Sequence, residues 1–122
     1  MNYVFVIFGG GIGALFRYIV TTLINKLCKI PFPVGTAAVN ISGSFLIGFL
    51  FAIFEKHNFP AEGRLFLITG FLGAYTTFST YSLETLRYFM NGNTKLAVIN
   101  IFVNNILCLI FTLAGIKLGG NL

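Results

Sequence analysis

The sequence predicts an all-α membrane protein built from four transmembrane helices. Of its 122 residues, 57% are hydrophobic and only 9% are charged, whereas soluble domains carry about 25% charged residues. Four stretches reach the roughly 20 mainly apolar residues that a membrane-spanning helix needs. The connections between them are short and leave no length for a soluble domain. We therefore expect a single transmembrane domain over residues 1–122.

The expected spans cover about residues 3–24, 34–54, 65–90 and 96–118. Pro31 and Pro33 separate the first two spans, and the run Asn91-Gly92-Asn93 separates the last two, as turn-forming residues do. No basic segment precedes the first span and no small-residue cleavage site follows it. We therefore interpret the first span as a retained helix and not as a cleaved signal peptide.

The third span is the least uniform, and we expect its helix to be broken near the middle of the membrane. Its centre reads TTFSTYS from residue 76 to residue 82, and it follows Gly70 and Gly73. Thr and Ser are mediocre helix formers because their hydroxyls compete for backbone hydrogen bonds. Irregular backbone is tolerated at this depth only where it is buried in protein or lines a cavity. The alternative is a continuous helix whose hydroxyls bond back to its own carbonyls.

The basic residues are almost balanced between the two sides of the membrane. With the N-terminus placed inside and Arg17 left out because it lies within the first span, three lie on the inner side and four on the outer side: Lys56, Arg64 and Lys117, against Lys26, Lys29, Arg87 and Lys95. The positive-inside rule then gives little preference, so we expect insertion in both orientations. Two oppositely inserted copies would form an antiparallel, dual-topology homodimer and supply an interior for the polar groups of the spans.

Two ionisable residues lie within the spans, and such residues are functional candidates. Arg17 ends the glycine-rich motif GGGIGALFRY, whose glycines permit close helix approach. It would hold an anion or, equally, bind carbonyl groups at a helix end. Glu84 would face a polar path, or form an ion pair with Arg87 near the membrane surface.

Polar residues recur every four positions, which places them on one face of each helix. In the second span a packing seam of small residues would explain Ser44 and Gly48, but not the amide of Asn40, so we favour a polar path along this face. The aligned residues are Thr36, Asn40, Ser44 and Gly48 in the second span, Thr76, Thr80 and Glu84 in the third, and Asn104, Cys108 and Thr112 in the fourth. Together they suggest a hydrated interior.

Other classes of protein are disfavoured. The chain has no Ser/His/Asp set, metal cluster or phosphate-binding loop, so we expect no enzyme. The eight basic residues are scattered without a run, which argues against a nucleic-acid partner. Cys28 and Cys108 show no CxxC spacing and are interpreted as small packing residues.

Three motifs carry a family resemblance. GGGIGALFRY, GTAAVNISGSFLIG and GFLGAYTTFSTYSLE, in this order on spans one to three, closely resemble the Fluc/CrcB fluoride channels over nearly the whole chain. The resemblance implies an antiparallel homodimer in the cell (inner) membrane that exports fluoride passively through two pores. It also implies a structural sodium ion at the dimer centre, held by the carbonyls of Gly73 and Thr76.

The resemblance also implies roles for particular residues. The paired pore phenylalanines of the family correspond to Phe78 and Tyr81, and its pore asparagine corresponds to Asn40. Arg17 corresponds to the arginine of the first motif and would sit at a vestibule or act as a structural cation. The polar track of the pore would comprise Ser79, Thr80 and Glu84, continued by Thr112 on the fourth span. From the polar face of the second span, we expect Thr36 to line the same pore.

The sequence departs from the family pattern at two places. The second pore aromatic is usually Phe and is Tyr81 here, whose hydroxyl would either donate to an anion or crowd the path. Cys108 stands where a hydroxyl is expected. Both changes bear on the rate of conduction and on the route of the ion.

The residues by themselves agree with an anion path. Fluoride is small and strongly hydrated, so a narrow pore must replace its water with hydrogen-bond donors. Amide and hydroxyl groups donate, and aromatic rings have a positive edge. The alternatives are a small dual-topology, proton-coupled exporter of organic cations that would use Glu84, and a membrane scaffold that transports nothing.

Overall fold

The computed structural model describes all of residues 1–122 as five helical stretches without a β-strand. They are α1 (Asn2–Leu27), α2 (Val34–His57), α3 (residues 61–75), α4 (Phe78–Met90) and α5 (Thr94–Gly120). Asn58 ends α2 in the left-handed conformation at φ 53°, and Gly92, at φ 81°, lies in the turn between α4 and α5. Asn and Gly are the residues that adopt this conformation most readily.

Three helices are long and apolar enough to cross a membrane. They are α1 with 26 residues, α2 with 24 and α5 with 27, and they contain the expected spans 3–24, 34–54 and 96–118. The stretch expected as the third span, residues 65–90, is divided between α3 and α4. The chain is therefore all-helical, with an apolar character typical of membrane proteins.

Two stretches have the wider turns of a π-helix, in which each N–H bonds to the carbonyl five residues earlier. They are Leu65–Leu72 within α3 and Val103–Leu107 within α5. Such turns are common at functional sites, because the extra residue shifts the faces that follow. Here the first stretch comes just before the polar run at residues 76–82, and the second contains Asn104 and Asn105.

Glycines let the helices pack with their backbones in contact. A Cβ atom at Gly9 or Gly13 of α1 would collide with the backbone of Phe66 or Phe71 in the π-helical stretch of α3. A Cβ at Gly48 of α2 would likewise collide with the backbone of α5, and one at Gly115 of α5 with the backbone of α2. Close packing of this kind associates helices in lipid, where no hydrophobic force acts between them.

The outer faces of the bundle are apolar. Phe8 in α1 is 63% exposed and Leu109 in α5 is 68% exposed, among many large apolar side chains. The interior is small, and its largest fully buried side chains are Val39, Leu72 and the polar Asn100. This is the reverse of a soluble protein, and it suits a chain whose outer faces meet lipid or another copy.

Candidate ion pathway

Helical backbone is interrupted between α3 and α4. Thr76 (φ −85°, ψ 159°) and Thr77 (φ −148°, ψ 118°) are extended. Thr77 is the N-cap of α4, and its Oγ1 accepts a hydrogen bond from the amide of Thr80 over 3.2 Å. Threonine is a favoured N-cap because this contact satisfies one of the free amides at the start of a helix.

Asn40 binds the extended backbone from α2. Its Oδ1 accepts from the amide of Thr77 over 2.8 Å, and its Nδ2 donates to the carbonyl of Thr77 over 3.0 Å. Nδ2 also donates to Oδ1 of Asn104 over 2.7 Å. Both N–H bonds of this buried amide are thus committed within the chain, and the side chain replaces the backbone partners that the interruption removes.

Further buried polar groups extend this network along α5 and α4. Nδ2 of Asn104 donates to Oδ1 of Asn100, and Nδ2 of Asn100 donates to the hydroxyl of Thr85, both over 2.9 Å. The hydroxyl of Thr85 donates to the carbonyl of Tyr81 over 2.8 Å. The network therefore joins α2, α4 and α5 around the interrupted segment.

Phe78 and Tyr81 form an aromatic pair at the start of α4. Their ring centroids lie 5.1 Å apart with an interplanar angle of 70°, so the edge of one ring meets the face of the other. Tyr81 is buried, and its hydroxyl accepts a hydrogen bond from Asn105 over 2.9 Å. Phe78 is 72% exposed. The two residues that correspond to the paired pore aromatics of the family are thus in contact.

A cavity of about 330 Å³, here called the break cavity, lies on one side of the interruption. Its lining includes the polar residues Asn40, Ser44, Thr76, Thr77 and Asn104, the aromatic pair, and also Gly73 and Cys108. Thr76 faces this cavity because the extended backbone separates it from α4. The expectation that Thr76 shares one helical stripe with Thr80 and Glu84 is therefore wrong.

A second cavity of about 280 Å³, the Arg17 cavity, lies on the other side of Thr77. It is lined mainly by polar residues and brings together Arg17, Thr36, Thr80 and Glu84. Thr77 borders both cavities. The interrupted segment thus borders two cavities, of which the Arg17 cavity is the more polar.

Glu84 is held by α2 and not by its own helix. The Thr36 hydroxyl donates to its Oε2 over 2.9 Å, and its buried Oε1 has no hydrogen-bond partner in the chain. The only ion pair joins Arg64 and Glu55, at 2.9 Å. The alternative of an ion pair between Glu84 and Arg87 is therefore wrong, because Thr36 faces the carboxylate while Arg87 is exposed.

The guanidinium of Arg17 donates no hydrogen bond to a carbonyl within the chain, although it lines the same cavity as Glu84. A single chain therefore does not place Arg17 at a helix end, which was one of its two expected roles. The guanidinium instead lines the Arg17 cavity together with the Glu84 carboxylate.

Thr112 and Ser79 lie away from the centre of the arrangement. The Thr112 hydroxyl donates to the carbonyl of Cys108 over 2.9 Å, and Thr112 lines a neighbouring cavity of about 580 Å³. That cavity shares Ile47 and Ile68 with the break cavity. Ser79 is exposed, and its hydroxyl lies 3.4 Å from that of Thr77.

Several residues of this site were not singled out by the sequence. The sequence places Thr77 only within the hydroxyl-rich run, and its polar stripes do not include Asn100, Thr85 or Asn105. One signal was present: three asparagines, at 100, 104 and 105, lie in one apolar span, where an amide without partners costs about 1–3 kcal/mol. Their partners, however, lie on other helices.

Inside this apolar helical bundle, a buried amide holds the interrupted backbone, and polar groups lie together. This arrangement defines a multi-pass membrane protein. The chain belongs to the family described as CrcB-like protein, Camphor Resistance (CrcB), whose model matches residues 4–116.

Three relatives named fluoride-specific ion channel FluC are similar to the chain along most of their length. The protein of Hydrogenobaculum sp. is 47% identical over 121 residues, covering 98% of each chain. That of Nitratiruptor sp. is 48% identical over 110 residues, covering 90% of this chain and 85% of its own. That of Parabacteroides distasonis is 43% identical over 116 residues, covering 95% and 91%. The family is one of channels, and the chain is not an enzyme.

Proposed function

We propose that the chain is a fluoride-selective channel that passes fluoride passively out of the cell across the cell membrane. The observation that carries this proposal is the interrupted segment at Thr76 and Thr77, which Asn40 holds and which borders two cavities partly lined by polar side chains, with an aromatic pair at one of them. The names of the relatives supply the ion.

Free hydroxyl donors support an anion as the conducted species. Thr77 donates to the hydroxyl oxygen of Thr80 over 3.0 Å, so the proton of Thr80 itself has no acceptor in the chain. Thr80 lines the Arg17 cavity, and Ser79 lies beside Thr77. These protons can replace the water of a small anion, and as neutral donors they do not bind the ion so tightly that it cannot leave.

The ring edge of Phe78 supplies a further favourable surface on the other side. Aromatic hydrogens carry a partial positive charge, and Phe78 is largely exposed beside the break cavity. Within a single chain, the two N–H groups of Asn40 bind Thr77 and Asn104. We assign it to holding the extended backbone that separates the two cavities.

The functional unit in this proposal is an antiparallel, dual-topology homodimer with two pores. The break cavity is open at the surface of a single chain, and Phe78 and many apolar residues of α1 and α5 are exposed. A second copy would enclose them and place the interrupted segment in mid-membrane, away from lipid. The near balance of three inner against four outer basic residues supports insertion in both directions.

A sodium ion at the dimer centre is part of the proposal. The carbonyl of Thr76 accepts no hydrogen bond within the chain, and Gly73 lines the same cavity. Hard cations prefer oxygen ligands, so these residues fit the ion, and two copies would double their number. Bound there, sodium would supply a fixed positive charge beside the pores. Replacing sodium by N-methylglucamine is expected to lower the melting temperature of the purified dimer.

Efflux from liposomes tests the function. Purified protein in vesicles loaded with potassium fluoride and potassium chloride, with valinomycin added, should release fluoride to an electrode while chloride stays inside. Equal release of both halides would reject selectivity, and no release would reject conduction. Protein-free vesicles are the control.

A proton-coupled exporter of organic cations is the second candidate, and the unpartnered Oε1 of Glu84 is the observation in its favour. Arg17 lines the same cavity and would repel a cationic substrate. Fluoride release driven by its own gradient at equal pH on both sides argues for the channel. Uptake of an organic cation that requires a proton gradient would argue for the exporter.

A further inference from the structure

Asn105 of α5 holds the hydroxyl of Tyr81. Its Nδ2 donates to the hydroxyl oxygen over 2.9 Å and to the carbonyl of Ile101 over 2.8 Å. The carbonyl fixes the orientation of the amide, because only the nitrogen can donate to it. Tyr81 and Asn105 are 24 residues apart in sequence and belong to different helices.

Phe78 packs against the ring whose hydroxyl Asn105 binds. The ring of Phe78 packs against one other aromatic ring, that of Tyr81, and is otherwise 72% exposed. Tyr81 is buried at 7% exposure, and both rings line the break cavity. Asn105 does not line this cavity. The amide therefore acts from outside the cavity on the ring that supports Phe78.

We propose that Asn105 is a positioning residue for the aromatic pair and that it keeps the Tyr81 hydroxyl away from the ion path. The proposal rests on the function proposed above. It also resolves the departure noted in the sequence, where a tyrosine replaces the usual phenylalanine. The hydroxyl that tyrosine adds at position 81 has a hydrogen-bond partner on α5, the amide of Asn105.

The physical reason lies in the behaviour of a buried hydroxyl. In apolar surroundings a tyrosine hydroxyl seeks a hydrogen-bond partner. Without Asn105, the polar groups of the break cavity, such as Ser44 and Thr76, would be the alternatives within the bundle. A ring that turned toward them would carry its hydroxyl into the cavity and withdraw support from Phe78. A phenylalanine at position 81 would have no such tendency.

The test compares N105L in two backgrounds, wild type and Y81F, in the liposome assay. Leucine has the same number and branching of side-chain heavy atoms as asparagine but cannot donate a hydrogen bond. In the wild-type background N105L should slow fluoride release by roughly three- to tenfold, the effect of losing one hydrogen bond. In the Y81F background the same change should alter the rate by less than about twofold, because no hydroxyl needs holding.

The outcomes separate positioning from a general structural role. Equal slowing in both backgrounds would mean that Asn105 supports the helix bundle and not Tyr81, and would overturn the proposal, as would no slowing in either. If N105L yields no protein, Asn105→Ser replaces it in both backgrounds. Wild-type protein that releases no fluoride would reject the proposed function instead. The melting temperatures of wild type, N105L, Y81F and the double variant would still decide whether the two side chains are coupled. If the two substitutions change the melting temperature additively, the contact is rejected.

Discussion

Asn40 and Thr77 exchange two hydrogen bonds, side-chain amide to backbone, at 2.8 and 3.0 Å. The pair lies 37 residues apart in sequence and joins α2 to the point where the third membrane segment loses its helical bonds. These two hydrogen bonds hold the extended backbone at Thr77, and Thr77 borders both cavities.

Asn40→Ala is therefore expected to stop most of the flux. It would leave the buried amide and carbonyl of Thr77 without partners, at about 1–3 kcal/mol each, and the extended segment would rearrange. Fluoride release from liposomes should fall at least tenfold, which corresponds to an increase of roughly 1.4 kcal/mol or more in the activation free energy of conduction. Asn93→Ala, at an exposed site in the last connection, is the matched control and should leave the rate unchanged. Equal rates for Asn40→Ala and wild type would remove Asn40 from the pathway.

Phe78→Ile should slow fluoride release by roughly tenfold, because isoleucine removes the positive ring edge while keeping an apolar side chain. The electrode assay measures the initial rate at fixed protein density. Phe102→Ile removes an exposed ring from α5 that lines none of the cavities described here and should have no effect. A Phe78 variant that conducts like wild type would show that the ring edge does not contact the ion.

Arg17→Gln tests whether the charge concentrates anions. Fluoride release should fall roughly two- to threefold near 10 mM ionic strength and change little near 1 M, where screening shortens the Debye length from about 30 to about 3 Å. Arg87→Gln removes an equal charge from an exposed site that lies outside the Arg17 cavity. A loss that is independent of salt would instead indicate a structural role for Arg17.

Gly13→Ala should destabilise the protein, and Gly11→Ala should not. A Cβ at Gly13 would collide with the Phe71 carbonyl, whereas no atom lies within 4 Å of one at Gly11. Overpacking costs about 1–3 kcal/mol, while alanine within a free helix face gains roughly 0.5–1 kcal/mol over glycine. Melting in detergent should show a lower midpoint for the first variant and an equal or higher one for the second. The reverse order would contradict the packing of α1 on α3.

Sequence reasoning reached the helical segments and part of the site. Phe78 and Tyr81, which the family resemblance paired, are in contact. Thr36 and Asn40 do share a face of α2, because that inference used spacing within one helix. The same reasoning was wrong for Thr76, since the extended backbone breaks the spacing on which it relied. It was also wrong for the alternative partner of Glu84, which is Thr36 of another helix and not Arg87.

The apolar composition and the four long stretches determined by themselves that this is a helical membrane protein, because lipid cannot hydrogen-bond the backbone and demands long apolar helices. The order of the three motifs likewise determined the family. Only the tertiary structure decided which polar groups meet: Asn40 with Thr77, Asn100 with Thr85, and Asn105 with Tyr81. Those pairs join different helices or distant turns, and a hydrogen bond across 15 to 37 residues depends on packing that no local pattern records.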